Sequence, residues 1–357
     1  MKPPHSNVRP LRETAAAKGA YPIPTIPATG IWEPLPPIPW LCHGLALTPG
    51  RPACIAGYGY AGKTLIAQAL ALAVASGRPL FGLWETSRGR VLHLDYEQGR
   101  HMTCSRYQRL SRGAGIDARE VADRLDVAIH PTVHLTDARG EDTWTSICDG
   151  VSLLIVDALV GALQGLDEYK PEIAEPLYML SRVSERTGCT CVVLHHARKP
   201  PTQSGPQQGG ARMALRGSSA LYGALDNCWI VSGEKHKPIM LTHEKSAQDG
   251  QARPDFGLTV RDVELAGDPR WGLRLIHLDG EQLRGNEELA DQDAQDRVRR
   301  AIEAVLRVGP FRGSKDALRQ RAGVGRAPFV SAFRQLRDDG RIAIGGSYHD
   351  PVMTWHG

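Results

Sequence analysis

The chain has 357 residues, 41% of them hydrophobic, which is enough for two domains or for one large domain with an appendage. We expect neither a membrane span nor a secretion signal, because no apolar run approaches ~20 residues and the first residues are polar and proline-rich. The net charge of +4 excludes a polycation, and seven cysteines without a C-x-x-C pair favour reduced thiols in a cytoplasmic protein over zinc sites or disulfides.

Residues 1–40 are rich in proline, alanine and glycine and have no sustained periodicity. The proline-dense stretches 21–27 and 32–40 cannot form regular helix. We therefore expect an extended arm, partly disordered at its start, whose end is anchored on the next domain by Trp32 and Trp40.

Residues 57–64 match the G-x-x-x-x-G-K-T phosphate loop. Its glycines let backbone amides wrap around phosphates, its lysine reaches the β- and γ-phosphates, and its threonine hydroxyl can bind Mg²⁺. The flanking segments 52–56 and 65–76 predict a strand and a helix, and the N-terminus of that helix would face the phosphates. A glycine-rich turn without a ligand is the alternative. The predicted nucleotide contacts are Gly57, Gly59, Ala61, Gly62, Lys63, Thr64 and Leu65, and Thr64 is also a predicted metal ligand.

Between residues 41 and 285, short apolar runs alternate with helical stretches, which is typical of an α/β domain with a mostly parallel sheet. The later runs follow one another closely without helices between them, so they predict an antiparallel extension of this sheet. The predicted strands are 52–56, 91–95, 126–130, 152–157, 190–195, 228–231, 238–242, 256–263 and 272–278.

Two of the predicted strands end in acidic residues. Asp157 ends an apolar strand in the Walker B pattern, in which the carboxylate holds Mg²⁺ through its water shell. Asp95 and Glu97 follow another strand, and we favour Glu97 as the catalytic group that orients or deprotonates an attacking water, with Asp95 as its competitor. The alternatives are a turn-capping Asp157 and a solvated acidic turn at 95–97.

His195 and His196 end the strand 190–195, and one of them could donate a hydrogen bond to a γ-phosphate. Adjacent strand residues point in opposite directions, so a metal site formed by both is disfavoured. From 197 to 225 the chain has no Asp or Glu and a polar middle, which suits a nucleic-acid backbone but also a solvated surface loop. The candidate contacts are Arg198, Lys199, Arg212 and Arg216.

Residues 286–295 are polar and predict a linker to a small domain at 296–357. Helical spacing, a capping Ser314 and the buried stripe Phe329, Phe333, Leu336 predict three helices, followed by two strands around a turn at 345–346. This order resembles a winged helix-turn-helix.

The positive excess of the chain lies in residues 291–357, which contain twelve Lys/Arg against eight Asp/Glu. In a winged helix the third helix enters the major groove of duplex DNA. The candidate contacts are Arg326, Arg334 and Arg337. A winged helix that binds protein instead is the alternative.

The loop 57–64, Glu97, Asp157, the His195-His196 pair and the hexamer 216–221 occur in an order that resembles the RecA-like ATPases of the hexameric replicative helicases, the RepA and DnaB group. The stretch 35–40, ahead of the loop, is similar to the RepA-like branch of this group. The resemblance covers about residues 33–265 and implies a RecA-like P-loop core at 41–285.

The resemblance also implies a homo-hexameric ring that hydrolyses ATP with Mg²⁺ between subunits and acts on single-stranded DNA, in plasmid, phage or mobile-element replication. One subunit would supply the loop, Glu97, Asp157 and a histidine sensor, and its neighbour a catalytic cation, which in the family is commonly a Lys-x-Arg pair. Here Lys245 matches the lysine, and Arg253 is a distant substitute for the arginine. Recombination mediators and regulatory ATPases share the core, so a regulator that binds duplex DNA without translocation and a low-turnover mediator are the alternatives.

Overall fold

The computed structural model describes residues 25–137, 140–197, 219–233, 237–245, 249–265, 268–347 and 351–356, with the backbone alone described at 268–270 and 284–294. The chain divides into two compact units, one ending at Leu278 and the other beginning at Asp279. The candidate nucleic-acid contacts Arg198, Lys199, Arg212 and Arg216 lie outside the described residues.

The first unit is built on a nine-stranded mixed sheet with the order β3-β2-β4-β5-β1-β6-β7-β8-β9. Strands β1 to β6 pair in parallel, and β7, β8 and β9 extend the sheet in antiparallel fashion. The expected mostly parallel sheet with an antiparallel extension is confirmed. The strands are β1 Ala53–Gly57, β2 Val91–Asp95, β3 Leu125–Ile129, β4 Leu153–Asp157, β5 Thr190–His196, β6 Asn227–Ser232, β7 Ile239–Lys245, β8 Phe256–Leu265 and β9 Asp268–Leu278.

Helices cover both faces of this sheet. Successive residues of β1 belong to two different hydrophobic cores, with Ile55 packing in the core that includes the helix after the phosphate loop and Cys54 in the opposite one. A strand that is buried on both faces is apolar throughout, as β1 is. The helices are α1 Ala28–Ile31, α2 Lys63–Ser76, α3 Arg100–Ala114, α4 Ala118–Val121, α5 Gly140–Cys148, α6 Leu159–Ala162, a 3₁₀ turn at Pro171–Ile173, α7 Ala174–Thr187 and α8 Ser219–Gly223.

The two tryptophans of the N-terminal arm behave differently. Trp40 packs edge-to-face against His43, and the Arg253 guanidinium lies 5.4 Å from the centre of its ring. Trp32 is 85% exposed. The expectation that both rings anchor the arm is therefore wrong for Trp32, because the described part of its own chain offers this ring no packing surface.

The second unit contains helices α9 Gly280–Arg307, α10 Lys315–Ala322 and α11 Arg326–Asp338, and strands β10 Phe311–Arg312, β11 Ile342–Gly346 and β12 Pro351–Trp355. The strands form an antiparallel sheet in the order β10-β12-β11. The predicted stripe of Phe329, Phe333 and Leu336 packs in its core, and the Ser314 side chain caps α10 by accepting from the Ala317 amide.

Two segments of this unit differ in detail from the sequence pattern. Residues 286–295, the expected linker, lie inside the continuous helix α9, which begins at a capping box formed by Asp279 and Gln282. Strand β11 ends at Gly346 and so includes the glycine pair at which a turn was expected. Among the described residues, no helix has the length and apolar character that crossing a bilayer would require.

Candidate active site

The residues singled out from the sequence meet where parallel strands of the first unit end. Gly57, the last residue of β1, is the register partner of His196 on β5. Asp95 on β2 is the register partner of Asp157 on β4. The phosphate loop, the acidic residues and the histidines thus lie along one edge of the sheet, which is where open α/β sheets bind their ligands.

The phosphate loop connects β1 to α2, and its two outer glycines have identifiable structural roles. A Cβ atom on Gly57 would lie 2.4 Å from the carbonyl oxygen of Val231 on β6, so only glycine fits at the start of the loop. Gly62 has a φ of 102°, which disfavours any other residue there. Gly59 and Ala61 lie between them, and Lys63, Thr64 and Leu65 form the first turn of α2, whose amides face the loop.

Lys63 is the central cation of the loop. Its side chain is buried, with 7% exposed, and Nζ donates hydrogen bonds to the carbonyl oxygens of Gly57 at 2.9 Å and Tyr58 at 2.8 Å. Burial lowers the pKa of Lys63, and the nearby carboxylates of Glu97 and Asp157 oppose that shift. A desolvated ammonium held inside an amide-lined loop is suited to binding phosphate oxygens.

The site also fits a magnesium ion. Asp157 ends β4 with 1% exposed, and its carboxylate is near enough to the Lys63 ammonium to oppose the lowering of the Lys63 pKa. The described residues contain no cluster of three or more His, Cys, Asp or Glu that could hold a metal by themselves. Thr64 and Asp157 are hard oxygen donors, so they would hold Mg²⁺ together with phosphate and water oxygens, the ligand set this ion prefers.

The two acidic residues at the end of β2, Asp95 and Glu97, differ in burial and in contacts. Asp95 is fully buried and accepts hydrogen bonds from the amides of Glu97 at 3.1 Å and Gln98 at 2.7 Å and from the Thr103 hydroxyl. These contacts make Asp95 the cap of the turn. The Glu97 side chain is 46% exposed, and its Oε2 lies 3.9 Å from Nε2 of His196, so it is the carboxylate accessible to a bound water.

The neighbouring histidines separate as strand geometry requires. His195 is buried in the sheet, with 1% exposed. The His196 side chain is 27% exposed and lies beside Glu97. Of the two, His196 is thus the one on the side of Glu97.

Both candidates for the cation donated to a neighbouring subunit are engaged within their own chain. Lys245, at the end of β7, donates to the carbonyl oxygens of Tyr222 at 2.9 Å and of Leu225. Arg253 has its guanidinium 2.7 Å from the Asp249 carboxylate, with 8% of its side chain exposed. Arg253 therefore has a structural role, whereas the Lys245 contacts are to carbonyl groups at the end of a short helix.

A buried polar cluster beneath the site was missed by the sequence analysis. His93 is fully buried, and its Nδ1 atom lies 2.8 Å from the hydroxyl of Tyr107 on α3. Its Nε2 atom lies 3.8 Å from Oδ2 of Asp157. The available signal was that His93 and Asp95 are two residues apart on an apolar strand and hence on one face. Tyr107 gave no signal because its contact is formed only in the folded chain.

In the second unit, the candidate DNA contacts Arg326, Arg334 and Arg337 are all exposed on α11. Together with Lys315 and Arg319 they line a surface cavity of about 350 Å³ between α10 and α11. Arg337 forms an ion pair with Asp338 and Arg319 one with Asp316. The cavity is therefore basic but partly neutralised by its own acidic neighbours.

Comparison with known proteins gives one family match and a similar solved structure. Residues 20–202 match the AAA_25 family, described as an AAA domain, and this match spans just over half of the chain. It includes the phosphate loop, Glu97, Asp157 and both histidines. The crystal structure of the RadB recombinase is similar, with a TM-score of 0.43 and 14% identity over 60% of this chain and 89% of that one. This chain belongs to the AAA domain family, and its first unit contains a nucleotide-binding P-loop ATPase domain.

Proposed function

We propose that this protein is an ATP-hydrolysing, ring-forming motor that acts on single-stranded DNA, in the replication of a plasmid, phage or mobile element. The observation that carries the proposal is the grouping of Lys63, Asp157, Glu97 and His196 at the end of the parallel strands. The resemblance of these motifs to the RepA and DnaB group supports the ring, and the acid-free stretch 197–225 supports the single strand.

Each residue of the group has a distinct task in this proposal. Lys63 binds the β- and γ-phosphates, and Mg²⁺ held by Thr64 and Asp157 would further neutralise the phosphate charge. Glu97 orients and deprotonates the attacking water, a role that requires an exposed carboxylate near the loop. His196 is close enough to Glu97 to respond when that carboxylate changes position.

The contact that would couple ATP hydrolysis to DNA binding is at the end of β5. The Ala197 amide, where the acid-free stretch begins, donates to the Gly57 carbonyl oxygen at 3.1 Å. Lys63 donates to the same oxygen. Movement of Lys63 toward a phosphate would weaken its own hydrogen bond to the Gly57 carbonyl oxygen. The remaining hydrogen bond to this oxygen comes from Ala197, at the start of the proposed DNA-binding segment.

Lys245 is our candidate for the cation that a neighbouring subunit contributes to the γ-phosphate. To act in this way its ammonium would exchange the Tyr222 and Leu225 carbonyl oxygens for a phosphate oxygen. Burial lowers the pKa of Lys245 in the isolated chain, so a phosphate would also offer the charge a better environment. Arg253 is less suitable, because its nearly buried ion pair with Asp249 would have to break. The Asp249 carboxylate would then be left without its partner.

The motor is tested by measuring Mg-ATPase activity with and without single-stranded DNA, together with strand displacement on a forked duplex. We expect stimulation by single-stranded DNA and ATP-dependent displacement, both absent in Lys63→Ala. Activity that DNA leaves unchanged, combined with no strand displacement, would reject the motor while leaving the ATPase intact.

The second candidate function is a regulatory ATPase that binds duplex DNA through its C-terminal unit and does not translocate. The observation that favours it is the exposed basic side of α11, with Arg326 and Arg334 beside the cavity toward α10. Three helices and a three-stranded antiparallel sheet in this chain order support a winged helix that presents α11 to the major groove.

Footprinting on duplex DNA separates the two functions. A sequence-specific footprint that survives in Lys63→Ala but disappears in the double variant Arg326→Ala, Arg334→Ala would support the regulator. Binding to single-stranded DNA without any duplex footprint would support the motor.

A further inference from the structure

We propose that His93, held in place by Tyr107, is a positioning residue that orients the Asp157 carboxylate toward the magnesium ion of the nucleotide. The inference deepens the proposed function, because it rests on Asp157 holding that ion. Neither residue belongs to the phosphate loop or to the acidic motifs recognised in the sequence, so the assignment is specific to the packing of this chain.

The three side chains form a line inside the first unit. His93 and Asp157 lie on the adjacent strands β2 and β4, two register positions apart, because Asp157 pairs with Asp95 and Ile155 with His93. The His93 Nε2 atom faces Asp157 Oδ2 at 3.8 Å. On the other side of the ring, Nδ1 lies 2.8 Å from the Tyr107 hydroxyl.

The buried environment determines which ring nitrogen carries the proton. Burial, followed by the charges of Asp157 and Asp95, raises the pKa of Tyr107, so its hydroxyl stays protonated. When Tyr107 donates to Nδ1, the N–H group of His93 is on Nε2 and points at Asp157. If the proton were on Nδ1 instead, the Nε2 lone pair would face the Asp157 Oδ2 atom. Both of these acceptor atoms would then be buried without a hydrogen-bond donor.

In this proposal, the contact between His93 and Asp157 shortens when the metal binds. A nitrogen–oxygen separation of 3.8 Å exceeds a hydrogen bond, and a contraction of about 0.6–1 Å would form one. One carboxylate oxygen would then be fixed by His93 and the other would remain for the metal. Removing a side chain that hydrogen-bonds to a metal ligand typically lowers metal affinity or activity by about 10–100-fold.

The test is binding of a fluorescent ATP analogue, N-methylanthraniloyl-ATP, to the full chain while Mg²⁺ is titrated. His93→Phe removes both nitrogens at similar volume. His93→Gln keeps a donor near the Nε2 position, and His93→Asn places the same amide nearer Nδ1, as a matched control. We expect the half-saturating Mg²⁺ concentration to rise roughly tenfold for Phe and Asn and to stay within about threefold of the wild type for Gln.

Binding of the analogue in EDTA should be unchanged in all three variants, which separates metal positioning from damage to the phosphate loop. Tyr107→Phe is the second test, since it removes the group that orients the ring without touching His93. We expect it too to raise the Mg²⁺ requirement, and it carries the test if His93→Phe does not fold.

An unchanged Mg²⁺ requirement in folded His93→Phe, or in Tyr107→Phe if the former does not fold, would overturn the inference. Equal behaviour of the Gln and Asn variants would overturn it as well, because a packing role does not distinguish where the amide is placed. If the wild-type chain itself binds the analogue equally with Mg²⁺ and with EDTA, the metal site proposed at Asp157 fails, and the inference fails with it.

Discussion

The amide of Ala197 donates a hydrogen bond to the carbonyl oxygen of Gly57 at 3.1 Å, and so joins the end of β5 to the start of the phosphate loop. The two residues are 140 positions apart in the sequence and meet because β5 and β1 are neighbours in the sheet. Lys63 donates to the same carbonyl. Lys63 and the first residue of the segment proposed to contact DNA therefore donate hydrogen bonds to the same carbonyl oxygen.

Replacement of Glu97 by glutamine should abolish turnover and keep nucleotide binding. The amide cannot accept a proton from water, and general-base groups contribute about 10²–10⁴-fold to rate. We expect kcat to fall at least about a hundredfold with the analogue affinity within about threefold of the wild type. Glu85→Gln, on the surface of the same unit, is the control. Normal turnover in Glu97→Gln would move the catalytic base elsewhere.

Replacement of Asp95 by asparagine should act on stability. Its carboxylate caps two backbone amides with Oδ1 and accepts from Thr103 with Oδ2 in a fully buried position. An asparagine that keeps its oxygen on the amides would place an N–H group where the Thr103 hydroxyl now donates. We expect the free energy of unfolding to fall by about 2 kcal/mol in urea denaturation. The exposed Asp126→Asn should change it by less than about 0.5 kcal/mol. An Asp95→Asn protein as stable as the wild type would restore Asp95 as a catalytic candidate.

The sheet and the phosphate loop were predictable from the sequence because both depend on local signals. All nine strands begin and end within a few residues of the apolar runs, and the antiparallel extension followed from the missing helices. The choice between Asp95 and Glu97 was harder, since both residues directly follow a strand. Only burial, which is a property of the folded chain, distinguishes the cap from the exposed carboxylate.

Tertiary contacts account for the features that the sequence did not predict. His93 lies in an apolar strand, where its sequence neighbours indicate no polar contact. Tyr107, which contacts its ring, lies on the following helix α3. Arg253 was a candidate catalytic cation because of its charge, and its partner Asp249 was not predicted to bind it. Residues 286–295 are polar, but their polarity is compatible with a helix as well as with an extended linker.

The half-buried environment of His243 should make the free energy of unfolding decrease as the pH falls. The His243 Nδ1 atom accepts from the Arg253 amide at 2.8 Å, so Nε2 carries the proton toward Asn227 Oδ1 at 3.1 Å. Burial, with the Arg253 charge second, lowers the pKa of His243 in the folded chain. The unfolded chain therefore takes up the proton first, and the stabilisation is present above about pH 6.5 and is lost as the pH falls below it.

Denaturation between about pH 7.5 and 5.5 measures this effect. In His243→Gln the decrease in unfolding free energy over this range should be smaller, while the exposed His101→Gln should follow the wild type. An identical pH dependence in His243→Gln and the wild type would show that other groups cause the decrease.

Replacement of Arg334 tests the proposal that the second unit binds duplex DNA. Arg334 is exposed on α11, and among the described residues no carboxylate forms an ion pair with it. If it contacts a phosphate, Arg334→Ala should weaken duplex binding at all sequences and reduce the salt slope by about 1. Arg299→Ala removes an arginine already paired with Asp339 at 2.7 Å and should leave the slope unchanged. Equal slopes for both variants and the wild type would favour the protein-binding alternative.

Calorimetric titration of the full chain with a non-hydrolysable ATP analogue and Mg²⁺ tests most directly whether the loop closed by Lys63 holds a nucleotide. We expect one saturable site per chain, with affinity reduced at least about a hundredfold, or roughly 2.7 kcal/mol, in Lys63→Ala and unchanged in the exposed control Lys170→Ala. Folded wild-type protein that takes up no nucleotide, or a Lys63→Ala variant that binds like the wild type, would contradict the proposed site.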